Sequence, residues 1–359
     1  MSCATNVTAE YTAYVKRKNS LFIMLLAALA AISVYSIAAG SYNIPAWNVV
    51  KSLLGLSVGP EDIVIWNIRA PRIAAAIVGG WGLAISGTAM ECLLKNPLAS
   101  PFTLGVSHGA VFGAAFAIVL LNAGMAPQAP ANTGAAASLN LSNIYSVTIF
   151  AFLGAMLATG VILLLSAIRK LSSEAIILAG VALSSLFVSG TILLQYFASD
   201  IEVASIVFWT FGDVGRLNWR EVTICFGAAI LVTAYFVINR WNLNALSAGD
   251  DVAGSLGVNV TIARITGMIM ATLVTALITA FMGVIAFLGL LAPHIARRLV
   301  GPDHRFLIPH SCVIGSLLLL VADTLGRTLI GAGTLPVGVL TSFMGAPLFL
   351  YLLVRGYQK

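Results

Sequence analysis

From Ile265 to Ala296 the chain runs for 32 residues without an Asp, Glu, Lys or Arg, and other stretches of membrane length are as free of charge. A helix needs roughly 20 apolar residues to cross about 30 Å of hydrocarbon. Lipid offers the backbone no hydrogen-bond partners, so only helices and closed barrels span it. The runs are continuous rather than alternating, which makes them helices. Composition agrees: 59% of the 359 residues are hydrophobic and 9% charged, against about 25% charged in soluble domains. The mean hydropathy of +0.99 excludes an ordinary soluble domain. The expected fold class is an all-α polytopic membrane protein of about ten transmembrane helices.

Spans are expected near 20–39, 72–94, 103–121, 145–168, 175–197, 221–239, 262–282, 284–300, 307–330 and 336–355. This gives an N-terminal tail 1–19, one transmembrane domain 20–355 and a C-terminal tail 356–359. Lys16–Lys18 ahead of Leu21–Ala39 resemble a signal peptide, but the apolar run is too long for one and reads as a retained span. The run 265–296 is long for one crossing and short for two. Crossed once, it would put Arg297, Arg298 and Arg305 on the side of Arg69 and Arg72, opposite the basic N-terminus. Splitting it near Gly283 returns them. With both termini cytoplasmic, thirteen of the nineteen Lys and Arg lie inside, as the positive-inside rule requires. The net charge of +6 is therefore read as orientation in a membrane, with no nucleic-acid partner. Cys3, Cys92, Cys225 and Cys312 lie far apart and read as small buried hydrophobes.

One polar island interrupts the late spans: Leu243–Val258, LNALSAGDDVAGSLGV. The orientation places it in the cytoplasm. Gly249 and Gly257 punctuate it as a short helical pair, with Asp250 and Asp251 suited to a helix N-terminus. A plain solvated connector is the competing reading. On the outer side, Ser41–Arg69 carries Trp47 and Trp66 at headgroup level, 122–144 is expected as a mobile loop, and Val203–Phe211 as a half-helix. No G-x-x-x-x-G-K-[ST] phosphate loop occurs, so the chain is not expected to hydrolyse ATP; H-E-x-x-H and G-x-S-x-G are missing too. No enzyme activity, cofactor or metal site is expected.

Six segments carry a resemblance: IRAPR (68–72), KNPLASPFTLGVSHGA (95–110), RKLSSEAIILAGVAL (169–183), LSAGDDVAGSLGVNV (246–260), FLGLLAPHIARRLVGPDHR (287–305) and LPVGVLTSFMGAPLFLYLL (335–353). In this order they resemble the FecCD-type permease subunits of type II ABC importers for iron–siderophores, heme and vitamin B12. The resemblance implies a BtuC-like permease fold with two pseudo-symmetric halves. It also implies a homodimer in a bacterial or archaeal plasma membrane, two ATPase subunits that bind ATP and Mg, and a periplasmic binding protein. The implied ATPase coupling loop, about 240–260, contributes Gly249, Asp250, Asp251, Val252, Ala253, Leu256 and Gly257. Arg69, Arg72 and Arg327 are implied to dock on carboxylates of the binding protein; for Arg327 an internal i, i+4 pair with Asp323 competes. Asn96, Leu98, Ser172 and Ser173 match the cytoplasmic gate.

Two residues depart from the pattern. Glu91 is either a pathway carboxylate or the partner of Lys95 four residues on. His108 is either a pathway residue or a packing histidine. His294 and His304 are read as structural. The expected cargo is a metal chelate, with vitamin B12 or molybdate and tungstate as alternatives within the class. An ion-coupled secondary transporter is the remoter reading, for which Glu91 and Asp323 are the eligible carboxylates.

Overall fold

The computed structural model describes residues 2–40, 44–56, 59–123, 141–169, 172–329 and 335–356. Among these residues every regular element is a helix. In order they are α1 (Ser2–Ala38), α2 (Ala46–Leu53), α3 (Glu61–Val64), α4 (Ala70–Leu93), α5 (Val106–Leu120), α6 (Leu141–Arg169), α7 (Ser173–Phe197), α8 (Asp200–Thr210), α9 (Trp219–Ile238), α10 (Arg240–Ala248), α11 (Asp250–Ser255), α12 (Val260–Met282), α13 (Leu288–Val300), α14 (His304–Thr328) and α15 (Val337–Gly356). A π-helical turn, Ile65–Arg69, leads into α4, and a 3₁₀ turn, Val214–Arg216, precedes α9.

Among the described residues, seven helical segments are long and apolar enough to cross a membrane: Glu10–Ala38, Glu61–Leu93, Tyr145–Ser166, Ser173–Phe197, Trp219–Ile238, Val260–Met282 and His304–Thr328. The other three expected spans fall on α5, α13 and α15. At 13 residues, α13 reaches only about 20 Å at 1.5 Å per residue. The charge-free run does divide at Gly283, but its second half starts four residues later than expected and is a half-span. Between α12 and α13 the backbone is opened by Gly283 (φ 79°) and Phe287 (φ 63°). The carbonyl that ends α12 is met by protein: Asp213 N–H donates to Met282 at 2.7 Å. Irregular backbone at membrane depth is tolerated where protein covers it. The half-helix expected at 203–211 is α8, whose Ser199 and Glu202 close a reciprocal capping box.

Helix α1 shows no break at residue 19. The first Gly is Gly40 and the first Pro is Pro45, so no breaker separates the expected tail from the expected span. Most of the loop expected at 122–144 lies outside the described residues, as do 357–359 of the C-terminal tail.

Helix α4 occupies the centre, packed against α1, α9, α12, α13 and α14, while α5 packs on α6, α7 and α8. Glycine permits the closest crossings. A Cβ on Gly80 would stand 2.3 Å from the Gly315 carbonyl oxygen, and one on Gly109 would stand 2.4 Å from that of Gly154. Between apolar helices in lipid, small residues bring backbones close enough for dispersion to hold them. The perimeter is apolar and uncovered in the single chain: Leu178, Leu186, Ile192 and Tyr196 of α7 are all exposed.

Candidate functional site

The polar side chains gather at the two ends of α4. At its C-terminal end lies the pair α10–α11, joined at Gly249 (φ 133°). Helix α11 starts on Gly249 and closes with Gly257 (φ 83°), where Gly257 N–H reaches the Gly254 carbonyl and Val258 N–H reaches that of Ala253. This double closure is a Schellman motif. Val252, Leu256 and Asp251 face outward, while Ala253 is fully buried.

The adjacent carboxylates part company. Asp251 is exposed, whereas Asp250 turns inward and meets Lys95 Nζ at 2.8 Å and Arg264 Nη2 at 3.1 Å. Partial burial works to raise the Asp250 carboxyl, but the hydrogen bonds and charges of Lys95 and Arg264 prevail and hold it below its ordinary value. Arg264 also donates Nε–H to the Leu93 carbonyl at 3.0 Å, a cation on the C-terminal carbonyls of α4. Cys92 Sγ–H donates to the Leu243 carbonyl of α10 at 3.2 Å. The polar pair is thus fastened to the end of α4.

Lys95 itself is unusual. Helix α4 ends in a second Schellman closure, Lys95 N–H to the Cys92 carbonyl and Asn96 N–H to that of Glu91. The left-handed residue is Lys95 (φ 49°), where glycine is the common choice. A side chain there costs about 1–2 kcal/mol, and a partly exposed ion pair returns only about 0.2–1 kcal/mol.

The expected Glu91–Lys95 pair does not form. Glu91, buried, takes Arg297 Nη2 of α13 on Oε2 at 2.6 Å, while its Oε1 has no hydrogen-bond partner among the described residues. Lys95 points away to Asp250. Asn96 Oδ1 accepts the Leu98 N–H at 2.8 Å, shaping the turn, and Leu98 is 40% exposed. Ser172 caps α7 by accepting the Ala175 N–H, and Ser173 follows as its first residue. No hydrogen bond joins Asn96 or Leu98 to Ser172 or Ser173 among the described residues. His108 packs against Phe102, with ring centroids 5.5 Å apart. Asn244 of α10 accepts from the His304 N–H and donates to Asp303, capping α14.

At the opposite end of α4 the three arginines turn inward. Asp323, buried, receives Arg72 on Oδ1 at 2.8 Å and Arg327 on Oδ2 at 3.0 Å. Arg72 also reaches Asp213 at 3.4 Å. Arg327 extends to the Ser36 and Ala39 carbonyls, and Arg69 to those of Ile37 and Ala38. Arg69 and Arg327 therefore satisfy the last carbonyls of α1. The i, i+4 pair Asp323–Arg327 is present, and Arg72 shares its carboxylate. Asp213, Arg264, Arg297 and Asn244 are partners that the sequence marked only as loop or span-end residues.

The FecCD transport family matches residues 26–355. The chain belongs to this family. It is 49% identical over 354 residues, 99% of each chain, to a Methanocaldococcus jannaschii protein named as an ABC transporter permease. It is 33% identical to the hemin transport system permease of Yersinia pestis, over 90% of this chain and 93% of that one. Among solved structures, an ABC transporter of the metal-chelate type in an inward-facing conformation superposes with a TM-score of 0.80 at 29% identity, covering 94% of this chain and 99% of that one. The chain is thus a multi-pass ABC transporter permease subunit.

Proposed function

We propose that this permease passes a metal chelate, a ferric siderophore or heme, from a periplasmic binding protein into the cytoplasm. The observation that carries the reading is the polar pair α10–α11, set between two spans of a chain that matches the family from residue 26 to 355. Two exposed apolar side chains, Val252 and Leu256, beside the exposed carboxylate of Asp251 give a partner both burial and charge to recognise. That partner is the ATPase subunit, which binds ATP and Mg; this chain contributes no ATP chemistry. Similarity to the hemin permease and to the metal-chelate transporter supports the cargo class.

In this reading the working unit is two copies of the chain with two ATPases, in the plasma membrane, and the exposed apolar perimeter meets lipid and the second copy. Residues 20–355 form the transmembrane domain, and both termini lie in the cytoplasm with α10–α11. The arginine end faces the binding protein. Arg69, Arg72 and Arg327 are assigned to docking, with Asp323 and the α1 carbonyls presenting the guanidiniums until carboxylates of that protein compete for them. Asn96, Leu98, Ser172 and Ser173 are assigned to the cytoplasmic gate. Transport is a population shift between inward- and outward-open states.

Two measurements test this. In proteoliposomes, uptake should require the ATPase subunit; uptake driven by an imposed proton or sodium gradient without it would defeat the reading. The cognate binding protein, titrated with ferric siderophores, heme, cobalamin and molybdate, should prefer one of the first two. Preference for cobalamin or molybdate would change the cargo.

A further inference from the structure

We infer that Lys95 and Arg264 are positioning residues that carry movement of the α10–α11 pair to the Asn96–Leu98 turn. The inference rests on the reading of α10–α11 as the ATPase contact, and goes beyond it by assigning the linkage. Three observations meet here. First, one carboxylate, Asp250 at the start of α11, is held by two cations from two different elements, Lys95 at 2.8 Å and Arg264 at 3.1 Å. Second, Arg264 also grips the Leu93 carbonyl at 3.0 Å, so α11, α12 and the last turn of α4 converge on one guanidinium. Third, Lys95 occupies a left-handed position (φ 49°) that closes α4 and immediately precedes Asn96.

The third observation decides between stability and transmission. A residue selected for the helix end alone would be glycine, which enters this conformation without steric cost. The strain at Lys95 is of the same order as what its partly exposed ion pair returns, so the side chain adds little net stability at this position. Strain of this kind concentrates at switch regions. A push on α11 displaces Asp250; Asp250 pulls Lys95; and Lys95 is bonded through its own backbone to the turn whose Asn96 side chain shapes Leu98. Exposed apolar side chains of α11 receive the partner, while the buried-side carboxylate transmits.

Hydrogen exchange on the full chain in complex with its ATPase subunits tests this, with and without a non-hydrolysable ATP analogue and Mg. In the unmodified protein, nucleotide should change exchange in both 243–258 and 94–105. Lys95→Gly relaxes the backbone, so a purely structural role predicts an equally or more heat-stable protein with both responses intact. The linkage predicts instead that the 243–258 response persists while the 94–105 response is lost, and that Lys95→Arg keeps both. If both segments of Lys95→Gly respond like the unmodified protein, or if both fall silent, the assignment of Lys95 is overturned. If segment 243–258 of the unmodified protein ignores nucleotide, the ATPase-contact reading itself falls, and the linkage with it.

Discussion

Asp323 shows how few side chains hold the arginine end. Its two oxygens, themselves shielded from water, are divided between Arg72 and Arg327, which each keep a small exposed surface. Removing one member of a buried ionic group leaves the others uncompensated, at a cost of about 3–5 kcal/mol. Asp323→Asn should therefore lower the thermal unfolding midpoint of the detergent-solubilised chain markedly; an unchanged midpoint would show that the arginines find other partners. Asp250 behaves differently because it is partly exposed. Its native carboxyl sits below the ordinary value of 3.8. The contribution of its clamp is thus fully present above that value and is lost as pH falls through the lowered native one. Hydrogen exchange in 243–258, corrected for the intrinsic rate, should stay flat from pH 8 to 5. A loss of protection within that window would place the carboxyl higher than the geometry does. Sequence spacing favours Glu91–Lys95, since i and i+4 neighbour each other on a helix. The fold sets Arg297 against Glu91 and Asp250 against Lys95, and local spacing carries no record of charges 155 or more positions away.

At the scale of elements, glycine decides where helices meet. The Gly80–Gly315 approach leaves no room for a methyl group. Gly80→Val must separate α4 from α14 or bend them; overpacking typically costs about 1–3 kcal/mol. The expected outcome is a reduced monodisperse fraction on size exclusion and a lower unfolding midpoint; native behaviour in both would mean that α4 and α14 slide apart freely. Hydrophobic runs and breakers made most helices legible: α1 continues to Ala38 because nothing before Gly40 stops it, and α12 ends at Gly283 as charge balance required. The length of α13 was not legible. Apolar residues 284–287 look like span in a hydropathy profile, but they lie between two positive-φ residues, Gly283 and Phe287, that interrupt the helix.

For the whole molecule, α10–α11 is proposed to couple an ATPase to the pathway, and that coupling is open to test. Reversing Asp250 and Asp251 together to Lys should leave the membrane domain folded and ATP hydrolysis running, while uptake per ATP collapses; uptake at the normal rate would remove α10–α11 from coupling. The chain's own order of residues was sufficient for the class of the protein. Charge-free runs require a membrane, and the six segments carry the family. These are properties of composition and local order, which solvent and lipid read without reference to the rest of the fold. Tertiary structure alone decided which distant charges meet: Asp250 inward and Asp251 outward, Arg72 joining the local Asp323–Arg327 pair, Glu91 with Arg297. Such pairings depend on helices far apart in the chain arriving within hydrogen-bond distance of one another. In a low-dielectric interior, that arrival determines where each charge comes to rest.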